Sequence, residues 1–289
     1  MWRETVCSKS TYHIDYLLKR LAMDPVHSVD IANRKVHVPM QIDGRKAPVT
    51  LSLHENKHHT EITIESDLTN KDKTISELRR IFLWDRSLEE ITDHFTGTEL
   101  EKLFDRYYGT PLVCDFDLYG SLMRTIIHQQ LNMAFAYTLS SRFCKLFGEE
   151  INQVWFYPSP ERIAACNVEE LKALQFSQRK AEYVIDVSRA IAAGELNLEM
   201  LREASDEEVF RTLTSYRGLG PWTAECFLLF GLGRMNVLPV KDIGIQNGLK
   251  KWLELERKPS PAELYNKAAQ WSPYNSYASL YIWLYTEND

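Results

Sequence analysis

A glycine-rich turn and a lone carboxylate are the two features in the second half of the chain that could do chemistry. The turn reads GLGPWT from Gly218, and the carboxylate is Asp242, which follows an apolar run ending in Pro-Val. Glycines let a backbone approach a ligand closely, and the unpaired N–H groups at the start of a helix attract an anion. The pattern is compatible with an anion-binding turn, and the carboxylate that follows it stands in a mostly apolar setting.

Three structures could account for the GLGPWT pattern. A dinucleotide-binding fingerprint is excluded, because a helical segment precedes the turn and Thr223 stands where the third glycine is required. A plain corner between two helices needs its glycine only to end the first helix. A helix-hairpin-helix instead presents backbone N–H groups to a DNA phosphate, without basic side chains or sequence readout. The local pattern leaves the last two open.

Three further segments favour the helix-hairpin-helix. They read IIHQQLNMAFAYTLSSRF, FSQRKAEYVIDVSRAI and WSPYNSYASLYIWLY. Together with the glycine turn and Asp242, they resemble the helix-hairpin-helix DNA glycosylase superfamily. The similarity is closest to the 3-methyladenine DNA glycosylase II type of its alkylation-repair branch, and it covers most of residues 110 to 285. The resemblance implies an N-glycosyl hydrolase of base excision repair.

Asp242 is the catalytic residue that this resemblance implies. A glycosylase flips a damaged base out of the duplex and breaks its bond to deoxyribose, which leaves positive charge on the sugar. A fixed carboxylate stabilises that charge, and it orients or deprotonates the attacking water. From the residues alone, Asp242 also suits the N-cap of a helix that starts at Ile243, and the two roles are compatible.

Trp222 stands where members of the superfamily that also cut the DNA backbone carry a Schiff-base lysine. The resemblance therefore implies a monofunctional enzyme that leaves an abasic site. Lys241, beside Asp242, is expected to contact phosphate or solvent, although it could also serve lyase chemistry. Two alternatives stay open: a bifunctional glycosylase-lyase that acts on oxidised purines, and a non-catalytic helix-hairpin-helix module that binds DNA.

The base-binding residues that the resemblance implies are aromatic. Trp222 and Trp283 are expected to stack on the flipped base, with Tyr277 as a weaker candidate. Alkylated purines such as 3-methyladenine and 7-methylguanine are cationic, and an aromatic face attracts a flat cation by about 0.5–2 kcal/mol. Helical spacing alone also allows Trp283 to be a core residue. Cys226 stands where the family often has a further aromatic.

The resemblance also predicts the residues that contact double-stranded DNA. Gln130, or its neighbour Leu131, is expected to fill the gap left by the flipped base. The hairpin and its surroundings are expected to supply the remaining contacts, from Arg217, Gly218, Leu219, Gly220, Thr223 and Lys241. The hairpin carbonyls at 217–220 are candidates for holding a monovalent cation. No other cofactor is expected, and the eight histidines form no metal-like cluster in the sequence.

The distribution of charge agrees with a DNA partner better than the total charge does. The net charge of −6 argues mildly against phosphate binding. Between residues 211 and 251, however, six basic residues stand against two acidic ones. This stretch contains the glycine turn, which favours a basic face beside it, although such a run also suits a solvated surface.

Two regions of different periodicity must position these residues. Residues 34–66 alternate apolar and polar side chains, which predicts an antiparallel sheet of at least three strands after a helix at YHIDYLLKRLA. From about residue 72 onward, apolar residues recur at helical spacing, with N-caps predicted at Ser87, Ser159, Asp206 and Ser260. We therefore predict an α+β fold. A small antiparallel-sheet domain spans residues 1–80, and an all-helical region spans 81–289, with the active-site cleft between two helical subdomains.

Composition and segment patterns place the protein in a broad class. No apolar run is long enough to span a membrane, and the first residues lack the order of a secretory signal. The five cysteines are scattered without zinc-ligand spacing, which suits a reducing compartment. We expect a monomeric cytoplasmic protein that associates with the nucleoid.

Overall fold

Five antiparallel strands and one helix form the N-terminal part of the structure, a computed structural model that describes residues 1–288. In chain order the elements are β1 (Trp2–Cys7), α1 (Ile14–Ala22), β2 (Ser28–Asp30), β3 (Lys35–Ile42), β4 (Arg45–Glu55) and β5 (Thr60–Ser66). The strands lie in the order β1-β5-β4-β3-β2, and each neighbouring pair is antiparallel. The three predicted strands are β3 to β5, and one further strand pairs at each edge.

The alternation of β3 and β4 explains why these segments form a sheet. Val36 pairs with Leu51 and Val38 pairs with Val49, and all four side chains are completely buried. Their neighbours along each strand are partly exposed. Because successive side chains of a strand point to opposite faces, this register buries one face of the sheet in the core.

The remainder of the chain is mostly helical. Its first helices are α2 (Lys71–Phe82), α3 (Leu88–His94), α4 (Glu101–Arg106), α5 (Leu118–His128) and α6 (Met133–Phe147). A short hairpin, β6 (Glu149–Ile151) and β7 (Val154–Phe156), precedes α7 (Pro160–Ala164), α8 (Val168–Lys172), α9 (Gln178–Ala192), α10 (Asp206–Thr214) and α11 (Pro221–Cys226). A π-helical turn at Phe227–Gly231 continues α11, and it is followed by α12 (Ile243–Trp252), α13 (Pro261–Trp271) and α14 (Asn275–Asn288).

The predicted α+β class is confirmed, with one correction to the region predicted as all-helical. The hairpin β6–β7 escaped prediction because three-residue strands are too short to show alternation. Its turn residues, Asn152 and Gln153, have positive φ angles of 50° and 63°, as a tight two-residue hairpin turn requires.

The sheet region and the helical region share one continuous hydrophobic core. Tyr12, which precedes α1, is buried and donates its hydroxyl hydrogen to the carbonyl of Phe82 at the end of α2 (3.1 Å). The predicted domain boundary between residues 80 and 81 falls inside α2. A cleft between the two regions therefore has walls that are packed on a common core.

Three of the four predicted N-caps are confirmed. The side chains of Ser87, Ser159 and Ser260 each accept a hydrogen bond from a backbone N–H in the first turn of α3, α7 and α13. For α10, the prediction of Asp206 was wrong. Ser205 caps that helix because it forms a capping box with the glutamate three residues further on.

Two findings bear on the class of protein. No helix within residues 1–288 combines the length and the apolar character needed to cross a membrane. The five cysteines carry free thiols, of which Cys7 is exposed and the other four are buried.

Candidate active site

A cleft with a volume of about 1240 Å³ lies where the sheet region meets the helical region. Helix α1 forms one side, and the end of α5, the α10–α11 turn, the start of α12 and the end of α14 form the others. Ten of the predicted site residues line it: Asp242, Trp222, Trp283, Gly218, Leu219, Gly220, Thr223, Gln130, Leu131 and Lys241. Two predicted residues, Arg217 and Tyr277, do not.

The carboxylate of Asp242 is held by three hydrogen bonds. Its Oδ1 accepts from the backbone N–H of Ile245 (2.9 Å), so Asp242 is the N-cap of α12. The same oxygen accepts from the indole N–H of Trp283 (2.9 Å), and Oδ2 accepts from the indole N–H of Trp222 (2.8 Å). The structure therefore shows the capping bond and also places the carboxylate in the cleft. The two indoles fix the orientation of both carboxylate oxygens.

Gly244 makes room for this arrangement. A Cβ atom at this position would lie 2.9 Å from Asp242 Oδ1 and 3.1 Å from Trp283 Nε1. Both distances are shorter than ordinary van der Waals contacts. A side chain at residue 244 would therefore press on the hydrogen bond between Trp283 and Asp242.

Phe230 extends the aromatic wall of the cleft beyond the two tryptophans. Its ring stacks near Trp283, with 5.5 Å between ring centroids and an interplanar angle of 30°. It lies in the π-helical turn that follows α11, a local widening often found at functional sites. An aromatic residue in an apolar helix has no periodic signal that separates it from a core residue, so the sequence did not reveal it.

Cys226 lines the cleft where the family often has an aromatic residue. Its side chain is buried, and burial raises the pKa of the thiol well above its usual value, with a smaller contribution from the nearby charge of Asp242. The thiol is therefore protonated at neutral pH. It contributes an apolar surface to the cleft and no nucleophile.

The prediction that Tyr277 contacts the base was wrong. Its side chain is completely buried, and its ring packs edge-on against Tyr281 in the core. Tyr277 and Trp283 lie six positions apart on α14, which puts them on different faces of the helix, roughly 120° apart. When Trp283 faces the cleft, Tyr277 must face the core.

The α10–α11 turn has the backbone conformation that the glycines of GLGPWT suggest. Gly218 has a φ of 93°, and a Cβ there would lie 2.3 Å from the ring of Tyr183. Both the positive φ and the contact with Tyr183 exclude a side chain at residue 218. A Cβ at Gly220, the N-cap of α11, would meet no atom within 4 Å. The turn is therefore packed against the protein at Gly218 and open at Gly220.

Gln129 and Lys180 hold this turn in place, and the sequence motifs that contain them did not reveal how. The side-chain amide of Gln129 donates to the carbonyl of Gly218 and to the hydroxyl of Thr223, both at 2.8 Å. The ammonium of Lys180 donates to the carbonyls of Ile127 (2.5 Å) and Gln129 (3.0 Å) at the end of α5. Burial lowers the pKa of Lys180 to about 8. The two residues tie α5, α9 and the turn together.

Some of the residues predicted to contact DNA are buried and others are exposed. Leu219 and Thr223 line the cleft but are buried, at 3% and 1% exposure, and the hydroxyl of Thr223 accepts a hydrogen bond from Gln129. Lys241 is exposed on the cleft rim. Arg217 is exposed outside the cleft, where its guanidinium bonds to Glu182 (2.8 Å).

The loop between α5 and α6 forms one lip of the cleft. Gln130 is exposed and has a left-handed backbone conformation, with a φ of 58°. Leu131 is half-buried beside it, and Met133 is 47% exposed. The structure thus places both predicted gap-filling residues at the mouth of the cleft.

The carbonyls of the turn are partly used within the protein. Gly218 O accepts from Gln129, and Gly220 O accepts from the N–H of Ala224 (3.1 Å). A carbonyl oxygen has two lone pairs, so these bonds are compatible with a further ligand. Binding of a monovalent cation there stays a prediction. In the part of the chain that the structure describes, no cluster of His, Cys, Asp and Glu has an arrangement suited to another metal ion.

Comparison with known proteins agrees with this geometry. Residues 123–273 match the family described as HhH-GPD superfamily base excision DNA repair protein. YfjP of Bacillus subtilis (strain 168), provisionally named a DNA-3-methyladenine glycosylase, is 43% identical over 98% of this chain and 99% of its own. DNA-3-methyladenine glycosylase 2 of Escherichia coli (strain K12) is 33% identical over 59% of this chain and 58% of its own.

The same relationship is visible in solved structures. The 3-methyladenine DNA-glycosylase from Archaeoglobus fulgidus superposes with a TM-score of 0.86 at 25% identity, over 99% of this chain and 98% of that chain. The predicted superfamily is confirmed by the family match and by the YfjP alignment. The chain belongs to the HhH-GPD superfamily of base excision DNA repair proteins, with the DNA N-glycosyl hydrolases as its class of enzyme.

Proposed function

We propose that the protein is a monofunctional DNA glycosylase that excises cationic alkylated purines, such as 3-methyladenine and 7-methylguanine, and leaves an abasic site. The observation that carries the proposal is the carboxylate of Asp242, held in an aromatic-lined cleft by the indole N–H groups of Trp222 and Trp283. The names of its relatives, DNA-3-methyladenine glycosylases, support the same class of substrate.

The bond that breaks joins C1′ of deoxyribose to N9 of the purine, and both bonding electrons leave with the base. Positive charge develops on the sugar as the base departs, and the carboxylate of Asp242 stabilises it. A water molecule then adds to C1′ and gives a proton to Asp242, which returns the proton to solvent. Trp222 and Trp283 position this carboxylate, because each donates a hydrogen bond to a different oxygen.

A cationic purine suits this cleft for two reasons. Its positive charge is attracted to the ring face of Trp283, by about 0.5–2 kcal/mol for a good contact. The charge also makes the base a good leaving group, because the departing purine becomes neutral. Little acid catalysis is then required, and the carboxylate of Asp242 suffices for the chemistry.

The α10–α11 turn supplies the proposed contact with the DNA backbone. Gly220 leaves the turn open to close approach, and the first N–H groups of α11 favour a phosphate. Gln130 or Leu131, in the α5–α6 loop next to this turn, fills the gap left by the flipped base. The 3-methyladenine DNA glycosylase Mag1 of Schizosaccharomyces pombe, 26% identical with a TM-score of 0.61 over 67% of this chain and 95% of its own, was solved with abasic DNA. We propose that this chain binds double-stranded DNA as a monomer.

The absence of a lysine at residue 222 supports the monofunctional mode. A glycosylase-lyase forms a Schiff base between a lysine amine and C1′ of the sugar. Trp222 occupies that position and donates its N–H to Asp242. Lys241, at the rim of the cleft, is then a phosphate or solvent contact.

The proposal is tested with methylated double-stranded DNA, by measuring release of free base and cleavage of the strand without alkali. Asp242→Asn should lower the rate of base release by about 100-fold or more, because the amide carries no charge to stabilise the sugar. Its affinity for DNA should stay within about twofold of the parent. Asp72→Asn, an exposed position on α2, is the matched control and should keep the parent rate.

Two results would overturn the proposal. Base release by Asp242→Asn at near the parent rate would remove the carboxylate from the mechanism and leave a DNA-binding module or a different catalyst. A covalent protein–DNA adduct trapped by borohydride, and lost in Lys241→Met, would establish a glycosylase-lyase instead.

A further inference from the structure

The inner wall of the cleft carries two guanidinium groups around one aromatic ring. The guanidinium carbon of Arg20, on α1, lies 5.9 Å from the centroid of the Phe230 ring, and that of Arg124, on α5, lies 5.8 Å from it. Both side chains line the same cleft as Asp242. Arginine side chains next to the aromatic wall are not needed for the chemistry at the sugar, so they call for a separate explanation.

Each guanidinium is paired with a carboxylate. Arg20 Nη1 lies 2.6 Å from Glu287 on α14, and Arg124 Nη2 lies 2.6 Å from Asp115. Two opposite charges in each pair cancel, so the wall adds no net charge that would repel a cationic base. The wall is therefore compatible with the proposed substrates, and it still presents hydrogen-bond donors.

The two arginines differ in how they are held. Arg124 and Asp115 are both largely buried, and the backbone N–H of Asp115 bonds to the carbonyl of Phe230 (2.8 Å), so this pair supports the ring. Arg20 comes from α1 in the sheet region and bonds to α14 in the helical region. Within residues 1–288, its guanidinium has one hydrogen-bonded partner, Glu287, through Nη1. Its other N–H groups can donate to a ligand in the cleft.

The order of residues along the wall gives the direction of a bound base. Asp242 marks the sugar end, Trp283 bonds to Asp242, Phe230 stacks near Trp283, and Arg20 lies over Phe230. A purine whose N9 lies near Asp242 and whose ring follows this aromatic wall directs its six-membered ring towards Arg20. The edge of that ring formed by N1 and C6, which is remote from N9, is then the part of the base nearest the guanidinium.

We propose that Arg20 is a specificity-determining residue that donates a hydrogen bond to the 6-carbonyl oxygen of the flipped base. This inference rests on the proposed function. A guanidinium only donates, and a 6-oxopurine such as 7-methylguanine offers an acceptor at C6. A 6-aminopurine such as 3-methyladenine offers an amino group, which donates and so faces a like donor. The N-terminal sheet region therefore selects 6-oxopurines over 6-aminopurines through α1.

Methylated DNA contains both bases, so one reaction measures the preference. The rates of 7-methylguanine and 3-methyladenine release are followed together for the parent protein and for Arg20→Met. The ratio of 7-methylguanine to 3-methyladenine release should fall about tenfold, the loss expected for a hydrogen bond to a charged donor. Arg3→Met, an exposed arginine on β1 outside the cleft, is the control and should leave both rates unchanged.

Two further variants separate selection from structural support. Arg20→Lys keeps one charged donor but not the planar fork, and its ratio should fall between those of the parent and Arg20→Met. Glu287→Gln weakens the ion pair but keeps the guanidinium, so its ratio should equal or exceed that of the parent. These two variants test the inference even if Arg20→Met does not fold.

The outcomes distinguish this inference from the proposed function. An equal fall of both rates in Arg20→Met and Arg20→Lys would make Arg20 a structural residue, and an unchanged ratio would remove it from base selection. A ratio that collapses in Glu287→Gln would assign the selectivity to the carboxylate. Release of neither base by the parent protein would contradict the proposed function itself.

Discussion

The α10–α11 turn and the carboxylate corner, formed by Asp242 with Trp222 and Trp283, lie side by side in the cleft but are held by different means. The turn is held through its backbone, by the conformation of Gly218 and by a side-chain amide that bonds to a carbonyl. The corner is held through side chains, by two indole N–H groups on one carboxylate. Helix α11 contributes to both. Trp222 donates a hydrogen bond to Asp242 of the corner. The hydroxyl of Thr223 accepts one from Gln129, which also bonds to Gly218 of the turn.

Because the two parts are held differently, binding of DNA and cleavage of the base should be separable by mutation. A change in the turn should lower the affinity for DNA and the stability of the fold. A change in the corner should slow base release with little effect on the affinity for DNA.

The first prediction concerns the backbone of the turn. Gly218→Ala places a Cβ 2.3 Å from the ring of Tyr183 at a positive φ, so the free energy of unfolding should fall by about 2–4 kcal/mol. The affinity for undamaged DNA should fall about tenfold as the turn is displaced. Urea unfolding and a DNA-binding titration measure the two effects.

Gly220→Ala is the matched control for stability, because its Cβ would meet no atom within 4 Å. Its free energy of unfolding should change by less than about 1 kcal/mol. If both glycine variants were equally stable, the turn would not depend on the backbone conformation of Gly218. The statement that the turn is held through its backbone would then be wrong.

The second prediction concerns the indole donors of the corner. Trp283→Phe keeps an aromatic face and removes the hydrogen bond to Asp242 Oδ1, which is worth about 1.5–3 kcal/mol because the acceptor is charged. The single-turnover rate of base release should fall by about tenfold or more, while the affinity for undamaged DNA stays within about twofold. Trp222→Phe should behave alike, since it removes the bond to Oδ2.

Trp252→Phe controls for the loss of an indole elsewhere. Its N–H donates to the carbonyl of Glu99, outside the cleft, and the variant should keep the parent rate of base release. A Trp283→Phe protein with a parent-like rate would show that the indole acts through its ring face alone.

The smallest expected effect is a change in the pH dependence of stability, through Glu225 on α11. Its Oε2 is buried and has no hydrogen-bond partner within residues 1–288. Burial raises the pKa of this carboxyl to about 7, with Asp242 adding to the rise and Lys241 opposing it. Because the folded pKa exceeds the unfolded one, the stabilising proton is present at low pH and is lost as pH rises through 7.

Relative to Glu225→Gln, the parent protein should therefore lose about 2 kcal/mol of unfolding free energy between pH 4.5 and pH 8. Urea unfolding at several pH values measures this difference. Glu207→Gln, an exposed position on α10, should follow the parent curve. Parallel curves for the parent and Glu225→Gln would contradict the buried state of Glu225.

Local patterns of residues predict much of the secondary structure and the capping of this chain. The alternation in β3 and β4 specifies which face of the sheet is buried, and the glycines of GLGPWT specify a turn between two helices. Asp242 at the start of α12 follows from its capping chemistry. These features depend on residues within a few positions of one another, where the period of a strand or helix and the φ of a glycine are decisive.

The contacts between these elements depend on tertiary packing, which local patterns do not specify. The bonds of Asp242 to Trp222 and Trp283 span 20 and 41 positions, the bond of Gln129 to Gly218 spans 89, and that of Arg20 to Glu287 spans 267. The packing of α14 also places the side chain of Tyr277 in the core. No local period encodes which distant side chains come into contact, because that depends on how whole helices rotate and pack on a shared core.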